Sequence, residues 1–456
     1  MALSLTKHNN YRGLYQSKLV SADQAVKVVK SGDWVQYGEF VMQPRELDAA
    51  LAKRVNELHD VKIRAVTLTM VPEIVKADPK REHFRFNDWH FSGFSRALHE
   101  QNLCNYIPIT YHEAKKIISE FVNIDVAFVL VAPMDRNGYF NLGTSNSITS
   151  YVLDKAKTVI VEVNKSVPVC LGGNSEAVHI SQVDYVVESQ DNTRLLNLPQ
   201  VSISDEDRKI AHNVMEKLED GACLQLGIGA MPNAIGAMIA DSGLKDLGIH
   251  TEMLVDSFVD MYNSGVVTGK RKQIDKGKIV YTFAMGTDKL YDFLDLNPVC
   301  ASYPVHYTND PFIIAQNDKV FAINNAIEVD LFSQVASEAS GTRQISGTGG
   351  QLDFMFASFR STGGKGFICL SSTRKLSDGT VISRIRPTLS PGTIVTIPRS
   401  LNYYVATEYG IALMKGQSTW QRAEELIKIA HPDFQDELIK EAAQMRIWVR
   451  TNKQDA

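Results

Sequence analysis

The sequence predicts an α/β fold with two related open-sheet domains and a functional site between them. Strand-like and helix-like segments alternate along the chain, the pattern restarts near residue 205, and one helix–strand–helix stretch occurs twice. Alternation of this kind is typical of mainly parallel sheets. We expect the domains at 1–195 and 205–456, with a linker at about 192–204, and sites often lie between two such domains.

The individual elements follow from hydrophobic periodicity and from capping signals. Ser21 and Gln24 resemble a capping box ahead of a helix, and Asp205 opens another helix at the restart. In chain order we expect helices at 25–32, 45–58, 144–156, 205–220, from Pro232 onward, 257–265 and 352–362, and strands at 33–38, 61–69, 124–133, 157–164, 222–229, 248–256 and 364–373.

The repeated stretch comprises residues 32–52 and 221–240, which align with one extra residue, Gln43, in the first copy. Each copy follows a predicted helix. Chance recurrence of small and apolar residues is the alternative, but seven identities over about twenty positions favour an ancient duplication. The identical pairs are Gly32/Gly221, Gln36/Gln225, Gly38/Gly227, Met42/Met231, Pro44/Pro232, Ala49/Ala237 and Ala52/Ala240.

Composition excludes several protein classes. The chain is 44% hydrophobic and 22% charged, which is ordinary for a globular protein and unlike disordered or collagenous chains. The formal net charge of −4 gives no general electrostatic basis for binding nucleic acid or an anionic membrane. We therefore expect neither partner, although a local basic pocket for an anionic ligand remains open.

The cysteines and histidines indicate the cellular compartment and whether a metal site is expected. The five cysteines form no CxxC pair, so we expect free thiols in a reducing compartment, the cytoplasm. The N-terminal residues lack the apolar core of a signal peptide, and the most apolar window, 226–240, is too short and too broken to cross a bilayer. Because HExxH and paired cysteines are both missing, we expect no metal site.

A glycine-rich turn at 227–231 follows a strand and opens a helix. Glycines allow a ligand to approach the backbone closely, and the free N–H groups of the helix start can bind an anion. We place Pro232 at the first helical position. The turn is not a dinucleotide fingerprint, since Pro232 stands where the third glycine belongs, and it is not a P-loop. A plain tight turn is the equal alternative.

A glutamate, Glu252, lies near the end of the next predicted strand, 25 residues after Gly227. Open α/β sheets present ligand-binding groups at such strand ends. From spacing alone, Glu252 can form a structural ion pair, contact a ribose or act as a nucleophile. Alternation places it on the same strand face as His250, Leu254 and Asp256, and Asp256 is expected to cap the following helix.

The densest cluster of small residues is the loop 341–350. Its segment Gly347–Gly350 offers backbone N–H donors that can form an oxyanion hole or hold phosphate, and an ordinary surface loop is the alternative. Further along, Lys375 can neutralise a phosphate or stay a solvated surface lysine.

Taken together, the motifs GIGAMPNAIG, LGIHTEMLVDSFVD, QISGTGGQLDF and ATEYGIALMKG resemble family I coenzyme A transferases of the acetyl-CoA hydrolase/transferase branch. The resemblance covers essentially the whole chain. It implies the two-domain fold and makes Glu252 the covalent nucleophile. It also implies CoA contacts at Gly227, Ile228, Gly229, Ala230, Met231, Ile327, Gly350 and Lys375.

The resemblance implies transfer of CoA from a short-chain acyl-CoA, such as butyryl-CoA, to a carboxylate such as acetate, by ping-pong kinetics through a glutamyl-CoA thioester. CoA thioesters are then substrates, so no cofactor is expected, and we expect a homo-oligomer. A 4-hydroxybutyryl-CoA transferase and an acyl-CoA hydrolase are the alternatives within the family. An NAD-dependent oxidoreductase and a catalytically silent CoA-binding protein are alternatives from other classes.

The first copy of the repeat suggests how the acyl group is selected. Residues 38–42 correspond to the turn at 227–231 and are expected to face the same cleft. Phe40, Val41 and Met42 are apolar, so we expect a preference for uncharged acyl groups of about two to four carbons, with Glu39 repelling a second carboxylate. If Glu39 points to solvent instead, it selects nothing.

Overall fold

The computed structural model describes residues 10–199, 202–227 and 229–448. They form two open parallel sheets in two domains, as predicted. The first half contains β1 (Trp34–Tyr37), β2 (Val61–Ala65), β3 (Phe84–Asp88), β4 (Cys104–Tyr106), β5 (Val126–Val131), β6 (Tyr139–Asn141), β7 (Thr158–Val163), β8 (Ala177–His179) and β9 (Tyr185–Glu188).

The second half contains the remaining strands. They are β10 (Cys223–Leu226), β11 (Gly248–His250), β12 (Met253–Leu254), β13 (Ile279–Tyr281), β14 (Phe283–Ala284), β15 (Cys300–Ser302), β16 (Val320–Asn325), β17 (Glu328–Asp330), β18 (Val335–Ala336), β19 (Ala339–Ser340), β20 (Arg343–Gln344), β21 (Lys365–Cys369), β22 (Thr373–Lys375), β23 (Val381–Ser383), β24 (Ile385–Arg386), β25 (Tyr404–Thr407) and β26 (Gly410–Leu413).

The helices connect and cover these strands. They are α1 (Tyr11–Lys18), α2 (Ala22–Ala25), α3 (Arg45–Ala52), α4 (Glu73–Ala77), α5 (Gly93–Glu100), α6 (Ala114–Phe121), α7 (Thr149–Lys155), α8 (Asp205–Met215), α9 (Ala230–Ala240), α10 (Asp256–Asn263), α11 (Asp288–Leu294), α12 (Val305–Thr308), α13 (Pro311–Ile314), α14 (Gln351–Arg360), α15 (Thr419–Lys428) and α16 (Pro432–Gln444). Short 3-10 helices lie at Val26–Val28, Phe40–Met42, Tyr111–Glu113 and Ile180–Gln182.

The two large sheets share one strand order. The first runs β4-β3-β2-β1-β5-β7-β9, and the second runs β15-β13-β11-β10-β16-β21-β25, with β26 added antiparallel at its edge. If the strands of each sheet are counted in chain order, both read 4-3-2-1-5-6-7. Gln36 and Gln225, a pair in the repeat, lie on the equivalent strands β1 and β10. The exact boundaries, 1–195 and 205–456, stay a prediction.

Four local predictions are wrong. The helix expected at 25–32 is instead α2, which ends at Ala25, followed by the 3-10 helix Val26–Val28. The strand expected at 248–256 breaks at Glu252, whose carbonyl accepts from both Thr282 N (3.0 Å) and Phe283 N (3.3 Å), so β11 stays in the large sheet while β12 pairs with β14. Helix α9 begins at Ala230, which makes Pro232 its third residue rather than its first. Asp256 is the first residue of α10, not its cap, and its carboxylate accepts from Thr287.

Backbone hydrogen bonds join the two halves. Ser147 N donates to Thr282 O (3.0 Å), Ala284 N to Thr144 O (2.8 Å), and Ser302 N to Leu171 O (2.9 Å). Beside them the rings of Phe40 and Phe283 stack with centroids 3.7 Å apart and planes 8° apart. The residues of one core cluster come from both halves. The sheets are therefore held in one fixed arrangement by paired polar backbone and by apolar packing.

A buried glutamate anchors the helix that follows the first-half turn. Glu162, near the end of β7 and 1% exposed, accepts hydrogen bonds from Glu46 N and Leu47 N, both at 3.0 Å. These N–H groups belong to the first turn of α3, where no intrahelical acceptor exists. The Glu162 side chain thus fixes the start of α3, and it thereby fixes the C-terminal end of the segment 38–44 that precedes this helix.

Among the described residues, no helix is long and apolar enough to span a bilayer. All five cysteines are buried free thiols. The described His, Cys, Asp and Glu side chains do not form a group of three or more that could hold a metal ion.

Replacing Glu162 with alanine tests this anchor. The change leaves the two N–H groups of α3 without an acceptor, so we expect a loss of about 2–3 kcal/mol in the free energy of unfolding, measured by urea denaturation. Glu57→Ala is the control, because the Glu57 side chain is 64% exposed and contacts Arg54 rather than the start of a helix. It should change stability by less than about 0.5 kcal/mol. Equal stabilities of the two variants would contradict the anchor.

Candidate active site

A cavity of about 300 Å³ lies where the carboxyl ends of the two sheets face each other. In the first half, each of four neighbouring strands contributes lining from the residues just beyond its end. Parallel sheets place ligand-binding groups at this edge. The first-half lining is Phe40 after β1, Val66 and Thr67 after β2, Trp89 and His90 after β3, Ile109 and Tyr111 after β4, and Ile148.

The second half supplies the other wall in the same manner. Residues at or beyond the ends of β10, β11, β13 and β16 line the cavity, and a loop ahead of α14 closes it. These residues are Gln225, Leu226, Gly227, Glu252, Met253, Phe283, Met285, Asn324, Asn325, Ser337, Ser346, Gly347, Thr348, Gly349, Gly350, Gln351 and Phe354. The predicted site between the two domains therefore exists as a cavity that neither sheet forms alone.

Glu252 lies in this cavity at the break between β11 and β12. Its Oε2 accepts a hydrogen bond from Asn309 Nδ2 at 2.6 Å, and the backbone N–H of Gly350 also donates to the carboxylate. Burial raises the pKa of Glu252 to about 7; the nearby Asp353 adds to the rise, and the hydrogen bonds from Asn309 and Gly350 oppose it. The side chain is thus a carboxylate near its titration point at neutral pH, held by two donors.

Gly350 is required by close contact with this carboxylate. A methyl group at position 350 would lie 1.9 Å from Glu252 Oε2 and 2.2 Å from Asn309 Nδ2. The backbone φ of Gly350 is −94°, which any residue can adopt, so the constraint is steric rather than conformational. Glycine at 350 allows the start of α14 to reach the glutamate.

The predicted CoA-binding turn separates the main cavity from a smaller one of about 150 Å³. Gly227 lines the main cavity, and Ala230 and Met231 line the smaller one. Gly229 lies between them, with a φ of +125° that favours glycine, and Asn325 lines both cavities. Ile228 lies outside the described residues. The corresponding residue of the first repeat, Phe40, also has positive φ, at +53°.

The remaining predicted CoA contacts lie at different distances from this turn. Gly350 is in the main cavity beside Glu252. Ile327 lines neither cavity, but its carbonyl accepts from Arg384 Nε at 2.8 Å, and Arg384 lines the smaller one. Lys375 is exposed on the β22–β23 hairpin and lines neither cavity. The CoA contacts at all eight residues stay predictions.

Two further expectations concern the loop 347–350 and Glu39. The whole loop lines the cavity beside Glu252, so it is not an ordinary surface loop. Glu39 is 1% exposed and does not point to solvent; Thr149 Oγ1 donates to its Oε1 at 3.1 Å. Burial raises the pKa of Glu39 to about 8, so at neutral pH it is mostly uncharged. Glu39 also does not line the cavity, so the structure gives no support to the predicted repulsion of a second carboxylate.

The sequence analysis missed several lining residues. Trp89 and His90 follow a buried strand, and the rule of carboxyl ends could have identified them. Burial lowers the pKa of His90 to about 4, so the imidazole is neutral. Tyr111 and Asn309 have no local signal, because only the tertiary fold brings them to Glu252.

Comparison with known proteins agrees with this geometry. The acetyl-CoA hydrolase/transferase N-terminal domain matches residues 3–196, and the C-terminal domain of the same family matches residues 286–442. The chain belongs to the acetyl-CoA hydrolase/transferase family. The resemblance seen in the sequence is thereby confirmed, and the chain is an enzyme of the CoA-transferase type.

Relatives align along nearly their full length. The chain is 50% identical to butyryl-CoA:acetate CoA-transferase of Anaerostipes caccae, covering 97% of this chain and 100% of the relative. It is 39% identical to 4-hydroxybutyrate coenzyme A transferase of Clostridium kluyveri, covering 94% and 98%. The crystal structure of RipA from Yersinia pestis superimposes with a TM-score of 0.89 at 36% identity, covering 96% of this chain and 100% of RipA.

Gly350→Ala tests the steric contact with Glu252. The added methyl group must displace the carboxylate or the amide of Asn309, and displacements of about 1 Å can cost about 100-fold in rate. We expect kcat for acyl-CoA turnover to fall by that amount while the thermal unfolding temperature changes little. Gly243→Ala is the matched control, since a methyl group there meets nothing within 4 Å. Equal kcat values for the two variants would show that the contact is unimportant.

Proposed function

We propose that the protein transfers coenzyme A from a short-chain acyl-CoA, with butyryl-CoA as the expected donor, to a carboxylate acceptor such as acetate. The observation that carries the proposal is Glu252, a carboxylate held by Asn309 and Gly350 in a cavity between two sheets. Family membership supports it, and so does the activity for which the relative from Anaerostipes caccae is named.

The chemistry follows from a nucleophilic carboxylate. A carboxylate oxygen of Glu252 attacks the acyl-CoA carbonyl carbon, the C–S bond breaks, and CoA leaves as a thiolate, giving an acyl–glutamyl anhydride. The thiolate then attacks the glutamyl carbonyl carbon, the C–O bond breaks, and the acyl group leaves as a carboxylate. The resulting glutamyl-CoA thioester reacts with the acceptor carboxylate by the same two steps in reverse, which returns Glu252.

Each addition places negative charge on a carbonyl oxygen, so fixed donors are needed nearby. The loop Gly347–Gly350 is the proposed oxyanion site, because it lines the cavity beside Glu252. Trp89 Nε1 and Gln351 Oε1 are buried lining atoms without a hydrogen-bond partner in the protein. These two atoms are available to the polar groups of a bound thioester.

CoA is proposed to enter along the turn at 227–231, between the two cavities. Arg384 lines the smaller cavity and supplies positive charge there, and Lys375 on the β22–β23 hairpin is proposed as a further CoA contact. The protein is proposed to act in the cytoplasm as a homo-oligomer, with CoA thioesters as substrates and without a cofactor.

Trapping the covalent intermediate tests the role of Glu252. Incubation with acyl-CoA alone should add CoA minus water to the intact chain, detected by mass spectrometry, and borohydride should reduce the thioester to a stable alcohol at Glu252. Glu252→Ala should lose transfer and the adduct while CoA still binds. Glu252→Asp should lose about 100-fold in rate, because its carboxylate is set back by about one bond length. A label on a cysteine such as Cys369 would contradict the mechanism.

A substrate panel tests the acyl group and the acceptor. Phe40, Trp89 and Phe283 give the cavity apolar walls, so we expect uncharged acyl groups of about two to four carbons to exceed dicarboxylates in kcat/KM. Acyl-CoA should be consumed far faster with acetate than without it. Equal rates without acetate would indicate a hydrolase, a preference for 4-hydroxybutyryl-CoA would favour that transferase, and faster turnover of succinyl-CoA than of butyryl-CoA would refute the acyl preference.

A further inference from the structure

The amide of Asn309 lies between two carboxylates. Its Nδ2 donates to Glu252 Oε2 at 2.6 Å and, more weakly, to Asp353 Oδ2 at 3.4 Å. Asn309 is fully buried, and its Oδ1 has no hydrogen-bond partner in the protein. Ionised carboxylates only accept hydrogen bonds, so the pair leaves one favourable orientation for the amide, with the NH₂ group toward both.

Asp353 is held in turn by a residue from the other half of the chain. His112 Nδ1 lies 2.7 Å from Asp353 Oδ1, and His112 N donates to Oδ2 at 3.3 Å. Asp353 belongs to α14, behind the loop 347–350, and is 1% exposed. His112 belongs to the 3-10 helix Tyr111–Glu113 after β4, and its side chain is 28% exposed. The chain of contacts therefore runs from the first domain to Glu252.

We propose that Asp353 and His112 are positioning residues that act through Asn309 to aim the carboxylate of Glu252. The proposal rests on the proposed role of Glu252 as the nucleophile. Without Asp353, the amide of Asn309 can rotate and turn Oδ1 toward Glu252. That rotation replaces a hydrogen bond with two acceptors facing each other, which disfavours the ionised form.

The charge of His112 adds a second effect. The charged or titratable groups that act on His112 are Asp353, Glu113 and Asp310, and those near Glu252 are Asp353 and Tyr111. His90, also in the cavity, is neutral at the pH of the reaction. The hydrogen bond that His112 Nδ1 donates to Asp353 raises the pKa of His112, and in its protonated form the imidazole offsets the charge of Asp353. A neutral residue at 112 leaves that charge uncompensated near Glu252.

A double-mutant comparison tests the connection through Asn309. Asp353→Ala and Asn309→Ala should each lower kcat by about tenfold or more, with KM for acyl-CoA within about threefold of the parent. If Asp353 acts through Asn309, the double variant should be no slower than Asn309→Ala, within about twofold. A kcat of Asp353→Ala close to that of the parent, or effects that multiply in the double variant, would overturn the proposal.

His112 variants separate the hydrogen bond from the charge, and they test the proposal even if Asp353→Ala fails to fold. His112→Gln keeps a donor to Asp353, so kcat at alkaline pH should stay within about threefold of the parent while the acid limb of kcat/KM moves to higher pH by about half a unit. His112→Ala should lose rate at every pH. If the acid limb of the kcat/KM profile stays at the same pH in both variants, the proposed role of His112 is wrong.

A control and a reference keep the outcomes distinct. His212→Gln should match the parent, because the His212 side chain is 70% exposed on α8 and pairs with Glu216, the residue that follows this helix. If the parent shows no acetate-dependent transfer, or if Glu252→Ala retains it, the proposed function fails. If the parent transfers CoA and the Asp353 and His112 variants match it at every pH, only the positioning role fails.

Discussion

The site depends on one constraint: the carboxylate of Glu252 is buried, yet it must be ionised to act as the proposed nucleophile. Burial alone disfavours the charge of Glu252, and its pKa rises to about 7. Asn309 and the backbone of Gly350 oppose the rise by donating to the charged form. Because these donors must come within contact distance, position 350 has no room for a side chain, and the loop ahead of α14 must end where it does.

Enclosing the carboxylate of Glu252 takes both domains, because residues of both halves line the cavity around it. Each sheet presents the ends of its strands to the cavity, and the equivalent strands β1 and β10 lead into equivalent turns at 38–42 and 227–231. One turn now carries the Phe40 ring that stacks on Phe283, and the other separates the two cavities. The two equivalent turns thus differ, since one packs against the other half and the other is the proposed CoA-binding turn, and backbone hydrogen bonds between the halves fix their relative position.

Whether a feature could be predicted from the sequence depends on how far apart along the chain the interacting residues lie. The central strands, the glycine turns and Glu252 depend on nearby residues and were predictable. The bond from Asn309 to Glu252 spans 57 residues and that from His112 to Asp353 spans 241, so neither leaves a local pattern. The break at Glu252 depends on Thr282 and Phe283, and the uncharged state of Glu39 depends on burial that composition does not reveal.

The charge states of the cavity explain how one reaction centre can serve several intermediates. Burial holds His90 and, for the most part, Glu39 in their neutral forms at neutral pH, and leaves Glu252 close to its titration point. In the proposed mechanism a single negative charge moves from Glu252 to a carbonyl oxygen, a thiolate and a departing carboxylate. A fixed cation beside any one of these positions would stabilise that intermediate selectively and slow the next step. Neutral donors, from Asn309 and from backbone N–H groups on several sides, can stabilise the negative charge at each of these positions. They therefore suit a proposed reaction that passes through every intermediate in both directions.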